Sequence, residues 1–350
     1  MYIYFICLIL VFLAFLYEEK ILFLKNLRFN DNYLFWFIAL ILGIISACRY
    51  NVGMDYQTYV TIYMDSSITV KEIGFNLINN FSHMCGFTAQ FTIACYSFAT
   101  IYFAFRFIQD HSKKPFLSVL IFYTFSPFFL QSLNVVRQML AVFIMAYSLK
   151  FITNKKIIAY FFTIICGSFF AHQTILIALP FYFIFNMNLT KRMKLIFTLF
   201  SIFSGPLILK ILEISPYSFY IEMINSQGIT NILSVTFILE LLLSIFTYFK
   251  IKKYKISMVY KNMSFVLMCF CIFLIVNSNS IVGVLLERIM WYFLPIILIT
   301  IPYICDSNEK FKNQYKIVFC STFIILFSMS IIINGVANKI VPYQTFFNNF

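Results

Sequence analysis

The chain has 350 residues, of which 62% are hydrophobic and 21% aromatic, while only 11% are charged. Its mean hydropathy of +0.88 excludes a soluble globular protein, because a chain of this size has no interior large enough to hide so much apolar surface. The net charge of +13 points to nucleic acid only if location is ignored: the basic residues lie in short loops between apolar runs, where they set membrane orientation and no nucleic-acid partner is expected.

The apolar runs are continuous rather than alternating, so the predicted fold class is all-α, a polytopic integral membrane protein and not a barrel. Spans are predicted at about 1–17, 33–48, 87–108, 116–132, 135–152, 157–171, 173–189, 195–212, 231–249, 263–282, 288–304 and 317–335. That gives about twelve transmembrane helices in a single transmembrane domain over residues 1–350. Met1–Leu16 lacks a basic start and a small-residue cleavage site and reads as a retained helix. The polar interval Arg49–Gly86 has helical patterning around Gly74–His83, which predicts one or two short helices lying on the membrane or dipping into it, with His83 at the interface. A second outer loop, 213–230, carries Pro216, Tyr217, Tyr220 and Gly228, with Glu213 and Glu222 on a solvated face. The tail Val336–Phe350 forms a third outer segment. The nine cysteines are scattered with no histidine beside them, which suggests neither a zinc site nor a disulfide framework.

Lysine and arginine counts orient the scheme. Of 26 basic residues, 20 fall in alternate connections: Lys20 to Arg28, Arg106 to Lys114, Lys150 to Lys156, Lys191 to Lys194, Lys250 to Lys261 and Lys310 to Lys316. The remaining 6, Arg49, Lys71, Arg137, Lys210, Arg288 and Lys339, lie on the opposite side. The bias puts the first set in the cytoplasm and both termini outside.

On that topology the outer face receives Arg49 and Asp55, Arg137 and Gln138, His172 and Gln173, and Glu287 with Arg288. Three arginines there run against the orientation rule and need a cause. A guanidinium donates two parallel hydrogen bonds to phosphate and stays charged, so three facing one cavity would hold a diphosphate and stabilise it as a leaving group. An acceptor hydroxyl then needs a base, for which His172, Asp55 and Glu287 are candidates, ranked His172 first and Asp55 second. Each has a bland alternative. Arg49 and Arg288 would snorkel, Glu287 and Arg288 would form a local ion pair, and His172 would bridge two helices. Arg137 begins a helix, where its charge opposes the dipole, so a purely structural role is less natural. Asp55, Asp65 and Glu72 share one loop without clear pairing, so no metal site and no divalent ion in catalysis are expected.

Four blocks resemble a known family. Arg49, Val52, Gly53, Asp55 and Tyr59 resemble the motif near the start of EpsG-family proteins, which are Wzy-like polysaccharide polymerases. Val136, Arg137, Gln138, Leu140 and Ala141, followed by Tyr147 and the turn Asn154–Lys155–Lys156, are similar to the second block. Ala171, His172, Gln173 and Thr174, then Leu179 and Pro180, are similar to the third, and Glu287, Arg288 and Tyr292 to the last. The resemblance implies a bacterial cytoplasmic-membrane glycosyltransferase with its site facing outside. It would join undecaprenyl-diphosphate-linked oligosaccharides into surface polysaccharide such as O-antigen, capsule or exopolysaccharide, without a cofactor. A chain-length regulator and a flippase of the same pathway would be its partners. Arg49, Arg137, Arg288, Gln138, Tyr59, Gln173 and Tyr292 would bind substrate. An O-antigen ligase or a single-sugar lipid-dependent transferase shares the donor chemistry. A flippase or transporter of lipid-linked oligosaccharide would instead need polar residues at mid-membrane, for which Glu240 and Asn277 are the few candidates.

Overall fold

The computed structural model describes residues 1–20, 30–65, 67–214, 218, 234–307 and 312–349. Among these the regular structure is helical, with one isolated β-bridge between Arg49 and Thr345. This is what lipid demands of a chain this apolar, since a helix satisfies its backbone polar groups within its own segment. In chain order the helices are α1 Tyr2–Glu18, α2 Asp31–Ala47, α3 Tyr56–Met64, α4 Ile73–Met84, α5 Ala89–His111, α6 Pro115–Thr124, α7 Phe129–Asn134, α8 Val136–Thr153 and α9 Ile157–Phe170. A 3-10 helix, Gln173–Ala178, precedes α10 Phe181–Asn186, α11 Lys191–Phe203, α12 Gly205–Ile214, α13 Val235–Ile251, α14 Met258–Val276, α15 Ile281–Met290, α16 Ile297–Ser307 and α17 Lys312–Ile333.

Among the described residues four helices are long and apolar enough to cross a membrane: α5, α8, α14 and Asn313–Ile333 of α17. Two bent pairs raise this to six if each is one span: α11 with α12, bent by 64°, and α15 with Leu294–Ser307, bent by 44°. Five further apolar helices are shorter.

The breaks differ from the sequence expectation. The run predicted as one helix over 116–132 stops at Thr124 and restarts at Phe129, with Pro127 between. The run 173–189 divides around Pro180, and 195–212 bends at Ser204. The helix expected from 288 begins at Ile281 and ends at Met290, with Pro295 beyond the bend, so Arg288 sits in a last helical turn. Proline removes a backbone donor and clashes with the preceding turn, which accounts for the breaks beside Pro127, Pro180 and Pro295. The 49–86 interval does carry two short helices, α3 and α4. Apart from Glu213, Ile214 and Ser218, the 213–230 loop with Glu222 lies outside the described residues.

α5 packs chiefly on α8 and α2, and α8 also packs on α9. Most of α8 is buried, which suits a helix apolar nearly all round. Polar contacts gather at the helix ends. At one end Glu19 bridges Lys114 at 3.3 Å and Lys316, and Asp110 lies 3.5 Å from both Arg106 and Lys150. There the Glu18 carboxylate accepts the N–H groups of Phe116 and Leu117, capping α6 behind Pro115. These residues come from the basic connections or directly beside them.

The tail folds back over the stretch after α2. Tyr50 N–H donates to Gln344 O at 2.9 Å, Gly53 N–H to Lys339 O at 2.8 Å and Phe346 N–H to Cys48 O at 2.9 Å. The Tyr343 hydroxyl donates to Ile45 O and the Tyr4 hydroxyl to Ile340 O. Gly53 has φ +101°, and a Cβ there would run into the Leu133 carbonyl, so glycine is required where this loop meets the end of α7.

Candidate functional site

Glu72, the residue before α4, organises the polar cluster. It is 4% exposed. One carboxylate oxygen accepts from Arg137 Nη1 at 2.6 Å, and the other accepts the Gln173 N–H at 3.2 Å. It therefore ties the start of α8 to the turn after α9. The helix N-terminus that opposes the Arg137 charge is offset by this carboxylate. The guanidinium carbon of Arg137 lies 5.2 Å from the Phe75 ring centre and 5.8 Å from that of Tyr59, so two aromatic faces fix its height. The sequence reading left Glu72 unpaired; the structure corrects this. An arginine at a helix start, needing a carboxylate, was the signal that could have found it.

His172 caps the 3-10 helix. Its Nδ1 accepts the Thr174 N–H at 3.3 Å and lies 2.8 Å from the Thr174 hydroxyl, which in turn meets the Tyr292 hydroxyl at 2.7 Å. With Nδ1 occupied as an acceptor, the neutral ring carries its proton on Nε2. Burial drives the His172 pKa down to about 4, and Arg137 and Arg288 push the same way, against the opposing pull of Glu72.

Asp55 precedes α3 and is half-buried. Burial raises its pKa, while Arg288 and Arg137 pull it back. Asp55, His172, Arg137 and Arg288 thus share one electrostatic field, with Glu72 within it. Arg288 is exposed, and Gln138 Nε2 holds its backbone carbonyl at 2.9 Å.

The structure does not bring every candidate to this cluster's surface. Arg49 is fully buried. Its Nη1 donates to Ser46 O and to Ser97 Oγ at 2.8 Å, while Nε and Nη2 have no protein partner. Tyr59, Tyr4, Tyr56 and Tyr343 surround it, and burial lowers its pKa to about 10, which leaves it charged at neutral pH. Arg49 lies beneath the strap formed by the tail and does not face the cluster's surface with Arg137 and Arg288. Arg49→Lys is therefore expected to lower the melting temperature through lost Ser46 and Ser97 contacts, a cost of about 2 kcal/mol. Differential scanning fluorimetry reads this directly. An unchanged melting temperature with lost lipid binding would place Arg49 in direct contact with substrate.

Tyr292 is fully buried and Gln138 and Tyr59 nearly so, so their observed contacts position neighbours. Gln173 contributes its backbone N–H to Glu72. Glu287 lines a second cavity together with Glu240. Among the described residues no three His, Cys, Asp or Glu form a metal-binding group.

Beside the cluster runs an apolar groove of about 550 Å³ between α5, α8 and α9, lined among others by Tyr96, Phe103, Leu140, Ile144 and Phe162. Tyr96 joins the two: its ring packs 5.4 Å from Phe75, and its hydroxyl donates to Phe170 O.

Compared with known proteins, the chain is matched over residues 32–345 by the model of the EpsG family. No curated protein and no solved structure matches it.

Proposed function

Because the chain belongs to the EpsG family, a Wzy-like polysaccharide polymerase family, we propose that it joins oligosaccharide repeat units carried on undecaprenyl diphosphate at the outer face of the bacterial cytoplasmic membrane. The observation that carries this reading is the Glu72-braced Arg137, with Arg288, Asp55 and a neutral His172 in one field beside an apolar groove. The arginines suit the donor's diphosphate, and the groove suits its isoprenoid tail. Asp55, a carboxylate with a raised pKa, takes the acceptor hydroxyl's proton as that oxygen bonds to the donor sugar's anomeric carbon. The bond from that carbon to the phosphate oxygen breaks with its electron pair, and undecaprenyl diphosphate leaves against Arg137 and Arg288. His172 donates from Nε2 to the departing phosphate. This assigns the base to Asp55 and reverses the order in which the sequence ranked it with His172.

Twelve crossings follow if the four long helices, the two bent pairs, the five shorter apolar helices and α13 each count as one. The expected topology has reporter fusions at Lys113, Lys155, Lys191 and Lys253 reading cytoplasm, and those at Met64 and Tyr343 reading outside. An outside signal at Lys253 inverts the scheme.

The activity is tested by the lipid-linked oligosaccharides of a deletion strain. Loss of polymer with single exported repeat units accumulating is expected. Absence of exported units points instead to a flippase.

A further inference from the structure

The Glu240–Glu287 cavity lies outside the reaction as described. It has a volume of about 240 Å³ and is lined among others by Gln131, Asn134, Glu240, Glu287, Trp291 and Asn334. We propose that this cavity is a carbohydrate subsite that holds one sugar ring of a lipid-linked oligosaccharide. The proposal rests on the polymerase reading and names where its glycan is held.

The lining selects the ligand by chemistry. A lipid tail would leave the carboxyl groups of Glu240 and Glu287 and the amides of Gln131 and Asn334 facing apolar surface, at a cost no apolar contact returns. A phosphate would find no arginine, lysine or histidine among the lining residues to pair with its charge. A neutral polyol fits, because hydroxyls donate to carboxylates and both donate to and accept from amides, while the Trp291 ring offers a flat face for the C–H side of a sugar. A volume of about 240 Å³ is large enough to take a single sugar ring.

Glu240 gives the independent sign of a ligand. It is 3% exposed, and among the described residues no protein group hydrogen-bonds its carboxylate. A buried carboxyl inside a helix bundle is costly unless donors reach it, and sugar hydroxyls supply them.

The cavity adjoins the reaction cluster. Asn134 lines it, and its side-chain oxygen accepts the Met54 N–H at 2.8 Å, one residue before Asp55. Glu287 lines it, and the next residue is Arg288. A diphosphate on Arg288 and a ring in the cavity would be neighbours on one substrate.

The test uses the full chain in nanodiscs with three probes: bare undecaprenyl diphosphate, the same lipid carrying its oligosaccharide, and the free oligosaccharide. Wild type is expected to bind the sugar-bearing lipid at least about tenfold more tightly than the bare lipid. Glu240→Leu should erase that difference and the binding of free glycan, leaving bare-lipid affinity unchanged. Glu240→Gln, which keeps a hydrogen-bonding group, should retain most of it. An undiminished sugar preference in a folded Glu240→Leu protein overturns the subsite, as does a wild type with no sugar preference. Sodium binding lost in Glu240→Leu with glycan binding intact makes the cavity a cation site instead. If bare lipid fails to bind wild type, the diphosphate reading fails, and the free-glycan arm still decides the cavity.

Discussion

Replacing Arg137 by Lys is expected to lower polymer formation by about 10²- to 10³-fold without loss of folded protein. Lysine keeps the charge but loses the fork that holds Glu72 with one nitrogen and leaves others for substrate oxygens. Its flexible stem also gives up the height set by the Phe75 and Tyr59 rings. The effect belongs in kcat, because negative charge grows on the diphosphate only as the sugar departs. Glu72 acts through Arg137 and is a positioning residue. Glu72→Gln is expected to cost roughly 10²-fold or less in kcat with little change in KM. The double variant Glu72→Gln with Arg137→Lys should be hardly worse than Arg137→Lys alone, because both remove one interaction. Additive losses would show that Glu72 acts elsewhere. Wild-type turnover in Arg137→Lys at normal protein level would remove the arginine from the mechanism.

How much of this was legible depended on how far apart the partners stand. Helices were readable from continuous apolar runs, and three of the missed breaks lie where Pro127, Pro180 and Pro295 interrupt a run whose hydropathy does not change, with a fourth at Ser204. The oddity of Arg137 was readable because its charge opposes its own helix dipole. Its partner Glu72 was not, since it stands 65 residues earlier on a loop that only packing brings to α8. Arg49 looked like a surface cation because it follows an apolar span. Nothing local shows that a tail almost 300 residues later straps over it and buries it. The Glu240–Glu287 cavity was invisible for the same reason, its two carboxylates coming from α13 and α15. The His172 tautomer, by contrast, is set by Thr174 two residues on, a local capping signal that the sequence already held.

Asp55→Asn is expected to lose about 10²- to 10⁴-fold in turnover, the worth of a positioned general base, while His172→Gln loses less. Nδ1 of His172 already accepts the Thr174 N–H, so the nitrogen left to face substrate carries a proton and cannot take another. Glutamine retains a donor and so keeps part of that contact. The pH profile separates the two assignments. With its pKa near 4, His172 is neutral from there upward and gives no inflection near 6.5. Asp55 must be ionised to act, and burial raises its pKa, so turnover should rise with pH through a carboxylate pKa lifted above that of an ordinary aspartate and then level off. That acid limb should survive in His172→Gln and vanish in the residual activity of Asp55→Asn. An acid limb that His172→Gln abolishes and Asp55→Asn keeps would return the base to His172 and leave Asp55 to orient the arginines.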